Sequence, residues 1–143
     1  LFLEPAFADV TYFGYGPIES YPDKHHDAKL GLYTSDVDSL HEDYLRPQEN
    51  GSHWNCSGLA LTTSDHRSLL ISGTQNFSFN ASRYTQEELT TKAHSFELEK
   101  SPYTVLCLDG YMSGCGSNSC GPALAKKYRV DQDKLTFTFT LNF

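Results

Sequence analysis

Nine residues at the end of the chain alternate without a break: Leu135, Phe137, Phe139, Leu141 and Phe143 on one side, Thr136, Thr138, Thr140 and Asn142 on the other. Period two over that length puts every large apolar group on one face of an extended strand, which a helix of period 3.6 cannot do. A strand so one-sided needs a neighbouring strand for its backbone and an apolar layer over its face. Asp131 to Lys134 reads as the turn before it, with a hairpin partner expected near Ala123 to Val130.

The rest of the chain repeats this theme in shorter form. Val10 to Tyr15, Leu59 to Thr63, Leu69 to Ser72, Phe77 to Asn80 and Tyr103 to Leu108 are apolar, β-prone runs separated by short polar breaks such as Gly73-Thr74-Gln75. Many short strands with tight turns predict an all-β, antiparallel β-sandwich. One helix interrupts it. Thr85 stands as N-cap with Glu88 at N3, a capping box, and Tyr84 and Leu89 occupy the staple positions. The spacing predicts a short helix over 85–93. Tyr21 to Gly51 is polar and irregular, partly helical between Tyr33 and Tyr44. Connections of about thirty residues are uncommon unless they work or pack on something outside themselves.

Bulk properties exclude several classes. With 38% hydrophobic and 13% aromatic residues the chain is too apolar for a disordered tail. Its 143 residues read as one domain, 1–143. The net charge of −7, with 11 scattered basic residues, argues against a nucleic-acid partner and against anionic membranes. No run approaches the ~18 apolar residues of a membrane span. Leu1 to Pro5 shows no initiator Met and no signal-peptide pattern, and reads as a start in mid-pattern; the far end reads as a terminus tied into a sheet.

Cysteine usage leaves two compartments open. Cys56, Cys107, Cys115 and Cys120 permit two disulfides, yet four reduced thiols in a cytoplasmic protein is the preferred reading. Cys115-x4-Cys120 lacks the second ligand pair that zinc needs. Four N-glycosylation sequons begin at Asn50, Asn55, Asn76 and Asn80. They support the rival reading, a secreted, disulfide-bonded carbohydrate-binding sandwich.

Candidate catalytic groups are sparse. Glu19, Asp23, Asp36, Asp38, Glu42, Asp43 and Glu49 crowd the irregular region, but nothing marks two of them as the carboxylate pair of a glycosidase. His25 and His26 are adjacent, so their side chains diverge and a shared metal is disfavoured. No nucleophile elbow and no dinucleotide fingerprint occurs. The run Gly114-Cys115-Gly116-Ser117-Asn118-Ser119-Cys120-Gly121-Pro122 is different. Its small residues allow positive φ and leave backbone N–H groups available to a ligand.

Four segments together resemble the last part of the family 2 β-galactosidases. They are Tyr12 to Lys24 (YFGYGPIESYPDK), Tyr44 to Gly51 (YLRPQENG), Phe77 to His94 (beginning FSFNASRYTQEEL) and Leu108 to Pro122 (beginning LDGYMSG), in that order along nearly the whole chain. The resemblance implies the C-terminal part of a galactose-mutarotase-like supersandwich within a large retaining enzyme. Its catalytic Glu pair would lie in a barrel domain that this chain does not contain, so no catalytic residue and no metal ligand is expected here. The resemblance also implies Mg²⁺ in the parent enzyme, remaining domains of that enzyme as partners, and a galactoside substrate reached through it. Asn118, Ser119 and Cys120 become the substrate-binding candidates. Relatives carry an aromatic residue where this sequence has Cys120, and a thiol lacks the flat face on which a sugar ring stacks. In the Pro47-Gln48-Glu49-Asn50-Gly51 block, Pro47 and Gly51 are expected to fix a turn, with Glu49 and Asn50 bonding local backbone. Half of a larger domain would also leave open faces and edges, so association with a second copy is an open alternative.

Overall fold

The computed structural model describes residues 1–116 and 121–143. Two antiparallel sheets face each other. The four-stranded sheet runs in the order β1 (Phe2–Leu3), β8 (Thr104–Asp109), β7 (Phe77–Ser82), β4 (His53–Cys56). The five-stranded sheet runs β3 (Lys29–Asp36), β2 (Asp9–Gly16), β5 (Gly58–Thr62), β6 (Ser68–Gly73), β9 (Phe139–Asn142). The all-β antiparallel sandwich is as the alternating runs require.

The core is the space between the sheets. Val10, Tyr12, Leu59, Leu61, Leu69 and Ile71 point in from one sheet; Cys56, Phe77, Phe79, Ala81 and Leu106 meet them from the other. Burying a side chain of this size contributes roughly 1.5–3 kcal/mol. One polar pair lies within it: the Tyr12 hydroxyl meets His53 Nδ1 at 3.0 Å, with the two rings and Phe79 packed together. A buried hydroxyl and imidazole that satisfy each other avoid the penalty of an orphaned polar group.

The backs of the two sheets differ. Along β7 every residue is buried. Phe77, Phe79 and Ala81 face the core, while Ser78, Asn80 and Ser82 face the chain's own loops. Asn80 Nδ2 donates to the Asn50 carbonyl, and Arg83 pairs with Asp38 at 3.3 Å. The irregular stretch after β3 is therefore the cover of this sheet. Among the described residues the five-stranded sheet is covered on its outer face only at Tyr15, which packs against His25 and Trp54. On its outer face Phe13 lies beside Leu32, Tyr15 beside Leu30, and Ala60 beside Leu70.

Several expectations are corrected. The residues from Tyr33 do not begin a helix: Lys29–Asp36 is a full strand paired with β2, followed by a 3₁₀ turn at Asp38–Leu40. Its outward apolar residues alternate with Gly31, Tyr33 and Ser35, which hides the period-two signal. Ala123 to Val130 is not a strand; it holds a 3₁₀ turn at Lys126–Tyr128. The last strand pairs instead with β6, Ile71 opposite Leu141 and Gly73 opposite Phe139. Only Phe139–Asn142 is extended within the sheet. As an edge strand it is half covered, and Phe143 stays 87% exposed. Strand β4 escaped notice because His53-Trp54-Asn55-Cys56 has no alternation of polarity.

The helix forms at Gln86–Thr91, shorter than expected, with Thr85 Oγ1 accepting the Glu88 N–H at 3.1 Å. The reciprocal half of the box is not made. Glu88 Oε1 accepts the Glu99 N–H at 2.8 Å and pairs with Lys92 at 3.4 Å. Tyr84 stacks on His41, and Leu89 is buried as a staple residue should be.

Candidate functional site

Strand β2 ends at Gly16, and a cis Gly16–Pro17 bond leads into Glu19. Glu19 is buried beneath a polar surface. Its carboxylate takes Lys24 Nζ at 2.5 Å, the Tyr44 hydroxyl, and the Gly51 N–H at 2.9 Å. Burial by itself would raise this carboxyl; the hydrogen bonds from Lys24, Tyr44 and Gly51 outweigh it and hold the group below the usual range. Gly51 sits at φ 70°, a left-handed conformation that disfavours residues with a Cβ. Next to it, Ser20 Oγ accepts the Trp54 N–H at 2.9 Å. Glu19 thus ties the Tyr12–Lys24 block to the Tyr44–Gly51 block.

The Pro-Gln-Glu-Asn-Gly turn is partly as expected. Asn50 bonds local backbone on both sides, accepting from the Glu42 N–H and donating to the Gln48 carbonyl, each at 2.9 Å. Glu49 is exposed instead of bonding local backbone.

Beyond Glu19 the chain makes a tight reversal in which Tyr21 and Lys24 exchange backbone hydrogen bonds at 2.8 and 3.0 Å. Asp23 projects from it. Its Oδ1 accepts the Cys115 N–H and its Oδ2 the Gly116 N–H, both at 2.8 Å. A Cβ on Gly114 would come within 2.6 Å of Asp23 Oδ1, so the carboxylate lies directly against that glycine. From the other side the Gly114 N–H reaches the Tyr128 carbonyl at 2.9 Å, and Ser113 Oγ accepts the Val130 N–H at 3.0 Å. The small-residue loop begins from a base fixed on two sides. A surface recess of about 370 Å³ opens there, between Asp23, Gly116, Leu124 and Tyr128. Asn118, Ser119 and Cys120 lie outside the described residues.

Three of the crowded carboxylates of the irregular region have partners of their own. Glu19 is held ionised. Asp36 caps Ser39, and Asp38 pairs with Arg83 and Lys100. The carboxyl with a raised pKa is Asp109, at the end of β8, pushed up to about 6 by burial and then by Glu49. It was not among the candidates, because only tertiary packing buries it. His25 and His26 stack on each other at 5.2 Å, and His25 leans on Trp54 at 4.5 Å. The two sit in an irregular, partly exposed loop, but their side chains stack instead of diverging as adjacency suggests. Among the described residues no group of three or more His, Cys, Asp or Glu converges as metal ligands do. Cys56, Cys107 and Cys115 are free of disulfides. No described helix is long and apolar enough to cross a membrane.

The model of the β-galactosidase small chain matches residues 1–141. The chain belongs to that family. Similar small-chain regions occur in the β-galactosidase of Actinobacillus pleuropneumoniae, 52% identical over 94% of this chain. That of Staphylococcus xylosus is 37% identical over the whole chain, and that of Kluyveromyces lactis 35% identical over 99% of it. The small-chain segment spans only 13–14% of the length of these relatives. Each of the four family-like blocks now has a place. The first two meet at Glu19, the third supplies β7 and the helix, and the fourth supplies the end of β8 and the loop clamped by Asp23.

Proposed function

We propose that this chain is an architectural segment of a β-galactosidase that hydrolyses terminal β-galactosides such as lactose with retention. The observation that carries the reading is a small-chain match over residues 1–141 in a chain spanning 13–14% of relatives named β-galactosidases. The segment is the C-terminal part of a supersandwich, and the remaining domains of the parent supply both catalytic glutamates and any Mg²⁺. The largely bare, apolar outer face of the five-stranded sheet packs against those domains. The loop from Gly114 to Pro122 lends its backbone and the side chains of Asn118, Ser119 and Cys120 to the wall of the substrate cleft. Free Cys56, Cys107 and Cys115, together with the burial of Asn50 and Asn80, where an attached glycan would not fit the fold, support a cytoplasmic setting, although the sequon at exposed Asn76 carries no such argument.

The test compares the purified chain with the full-length enzyme on a chromogenic β-galactoside, and follows the anomeric product of the full-length enzyme by NMR. The expected result is turnover with retention by the whole enzyme and none by the segment. Turnover by the segment that a carboxylate substitution within it abolishes would overturn the architectural reading.

A further inference from the structure

We propose that a recess beside the 3₁₀ turn at Asp38–Leu40 is a binding site for a carboxylate, held by Arg83, Lys100 and His41. The recess measures about 180 Å³ and is lined by Val37, Asp38, His41, Arg83, Tyr84 and Lys100. It shares no residue with the Glu19 network or with the Asp23 contact. Three elements bring its charges together. Arg83 directly follows β7, Asp38 opens the turn after β3, and Lys100 stands ahead of β8.

The Arg83 side chain is only 14% accessible, and its guanidinium is fixed from two sides. Nε donates to Asp38 Oδ2 at 3.3 Å, and Nη1 donates to the Pro5 carbonyl at 3.1 Å and to Thr104 Oγ1 at 2.7 Å. Nη2 donates to none of the described residues. Asp38 does not serve Arg83 alone, because its Oδ1 takes Lys100 Nζ at 2.5 Å. Two cations thus share one carboxylate. Asp36 turns both its oxygens to Ser39 and does not line the recess.

His41 calls for an acceptor independently. Its ring packs on Tyr84 and lines the recess, and its Nδ1 is buried without a hydrogen-bond partner among the described residues. Buried polar atoms are nearly always paired in folded proteins, so an orphan is where an incoming oxygen gains most. A ligand with two acceptor oxygens serves both groups. One oxygen takes Arg83 Nη2, and the other takes His41 in the tautomer that carries its proton on Nδ1. The planar arginine fork favours carboxylates and phosphates. Charge decides between them: the surplus of one positive charge matches a carboxylate, whereas a phosphate dianion would overshoot it. That carboxylate is either a small free one or an Asp or Glu side chain from the rest of the parent enzyme.

The experiment uses the full-length enzyme carrying this chain, by crystallography without added carboxylate and by saturation-transfer NMR with acetate. Two results support the site. In the first, an Asp or Glu of another domain meets Arg83 Nη2, which names the parent as the source, and acetate gives no signal there. In the second, the recess opens to solvent and the acetate signal falls at least about threefold in Arg83→Gln. His41→Phe, which keeps the stacking on Tyr84, and Lys100→Gln should each lower that signal by about twofold. Lys100 is 61% accessible, so its variant decides the matter should Arg83→Gln fail to fold. Turnover of a nitrophenyl β-galactoside within about twofold of the parent shows that a variant is folded. An open recess whose acetate signal is unchanged by the substitutions overturns the proposal, as does a recess filled by an apolar or basic group of the parent.

Discussion

The Glu19 carboxylate accepts the backbone N–H of Gly51, 32 positions further along the chain, at 2.9 Å. The same carboxylate holds Lys24 and Tyr44, but the partners differ in exposure: the side chain of Glu19 is 6% accessible and that of Lys24 54%. Removing Glu19 leaves a buried N–H and a hydroxyl without an acceptor, whereas removing Lys24 takes the counter-charge from a buried carboxylate that keeps its hydrogen bonds from Tyr44 and Gly51. Glu19→Ala should therefore destabilise the chain by about 3 kcal/mol, and Lys24→Ala by less, about 1–2 kcal/mol. Urea midpoints of the two variants measure this; equal losses would mean the ion pair, and not the buried acceptor, carries the stability.

A buried group and a half-buried one tilt the pH dependence of stability in opposite directions. Burial lowers His53 to about 4 from an ordinary 6.5, so the unfolded chain binds that proton first and stability falls as pH drops from 6.5 toward 4. Asp109 is raised to about 6 from 3.8, so its protonated form favours folding at low pH and that stability is lost as pH rises through 6. Asp109→Asn removes the second effect. The variant should be more stable than the parent chain at neutral pH, and should lose stability more steeply on acidification from pH 6 to 4. Parallel stability curves for the two proteins, measured by urea unfolding, would show that Asp109 is not desolvated.

At the short helix, Thr85 acts as cap without a reciprocal partner. Thr85→Ala should cost about 1 kcal/mol. Because the Glu88 side chain serves Glu99 and Lys92, the Thr85→Ala and Glu88→Ala losses should add within about 0.5 kcal/mol. A double-mutant cycle with a coupling well above that would restore the full capping box.

The outer face of the five-stranded sheet exposes Phe13 at 44%, Leu30 at 53%, Leu32 at 69% and Leu70 at 51%. In the separated chain this apolar surface has no cover, and contiguous patches of that kind promote association. Sedimentation velocity should show the isolated chain associating as concentration rises. Leu30→Lys with Leu32→Lys should keep it monomeric at unchanged melting temperature, since neither side chain contributes to the core. A parent chain that stays monomeric at high concentration counts against this face as a packing surface.

Much of the architecture was legible before any tertiary contact was known, and the reason is range. Alternation at i, i+2 in Phe77 to Asn80 and the Thr85/Glu88 spacing are local, so they fix strand and helix wherever the chain later packs. Strand partners are not local. Phe139–Asn142 had a nearby hairpin candidate in sequence, yet its backbone bonds to Ser68–Gly73 across some seventy residues, at the edge of the five-stranded sheet. Strand β3 and strand β4 lacked alternation, since one is bare on its outer side and the other closes a sheet edge with mixed side chains. The functional groups follow the same division. The sequence alone marked Asp23, Glu19 and the Gly114–Pro122 run as candidates by residue type. Only the tertiary structure decided that Glu19 is a buried acceptor rather than an acid, that burial raises Asp109, and that Asp23 reaches Cys115 and Gly116. Burial and hydrogen bonding set these properties, and both come from residues far apart in the chain.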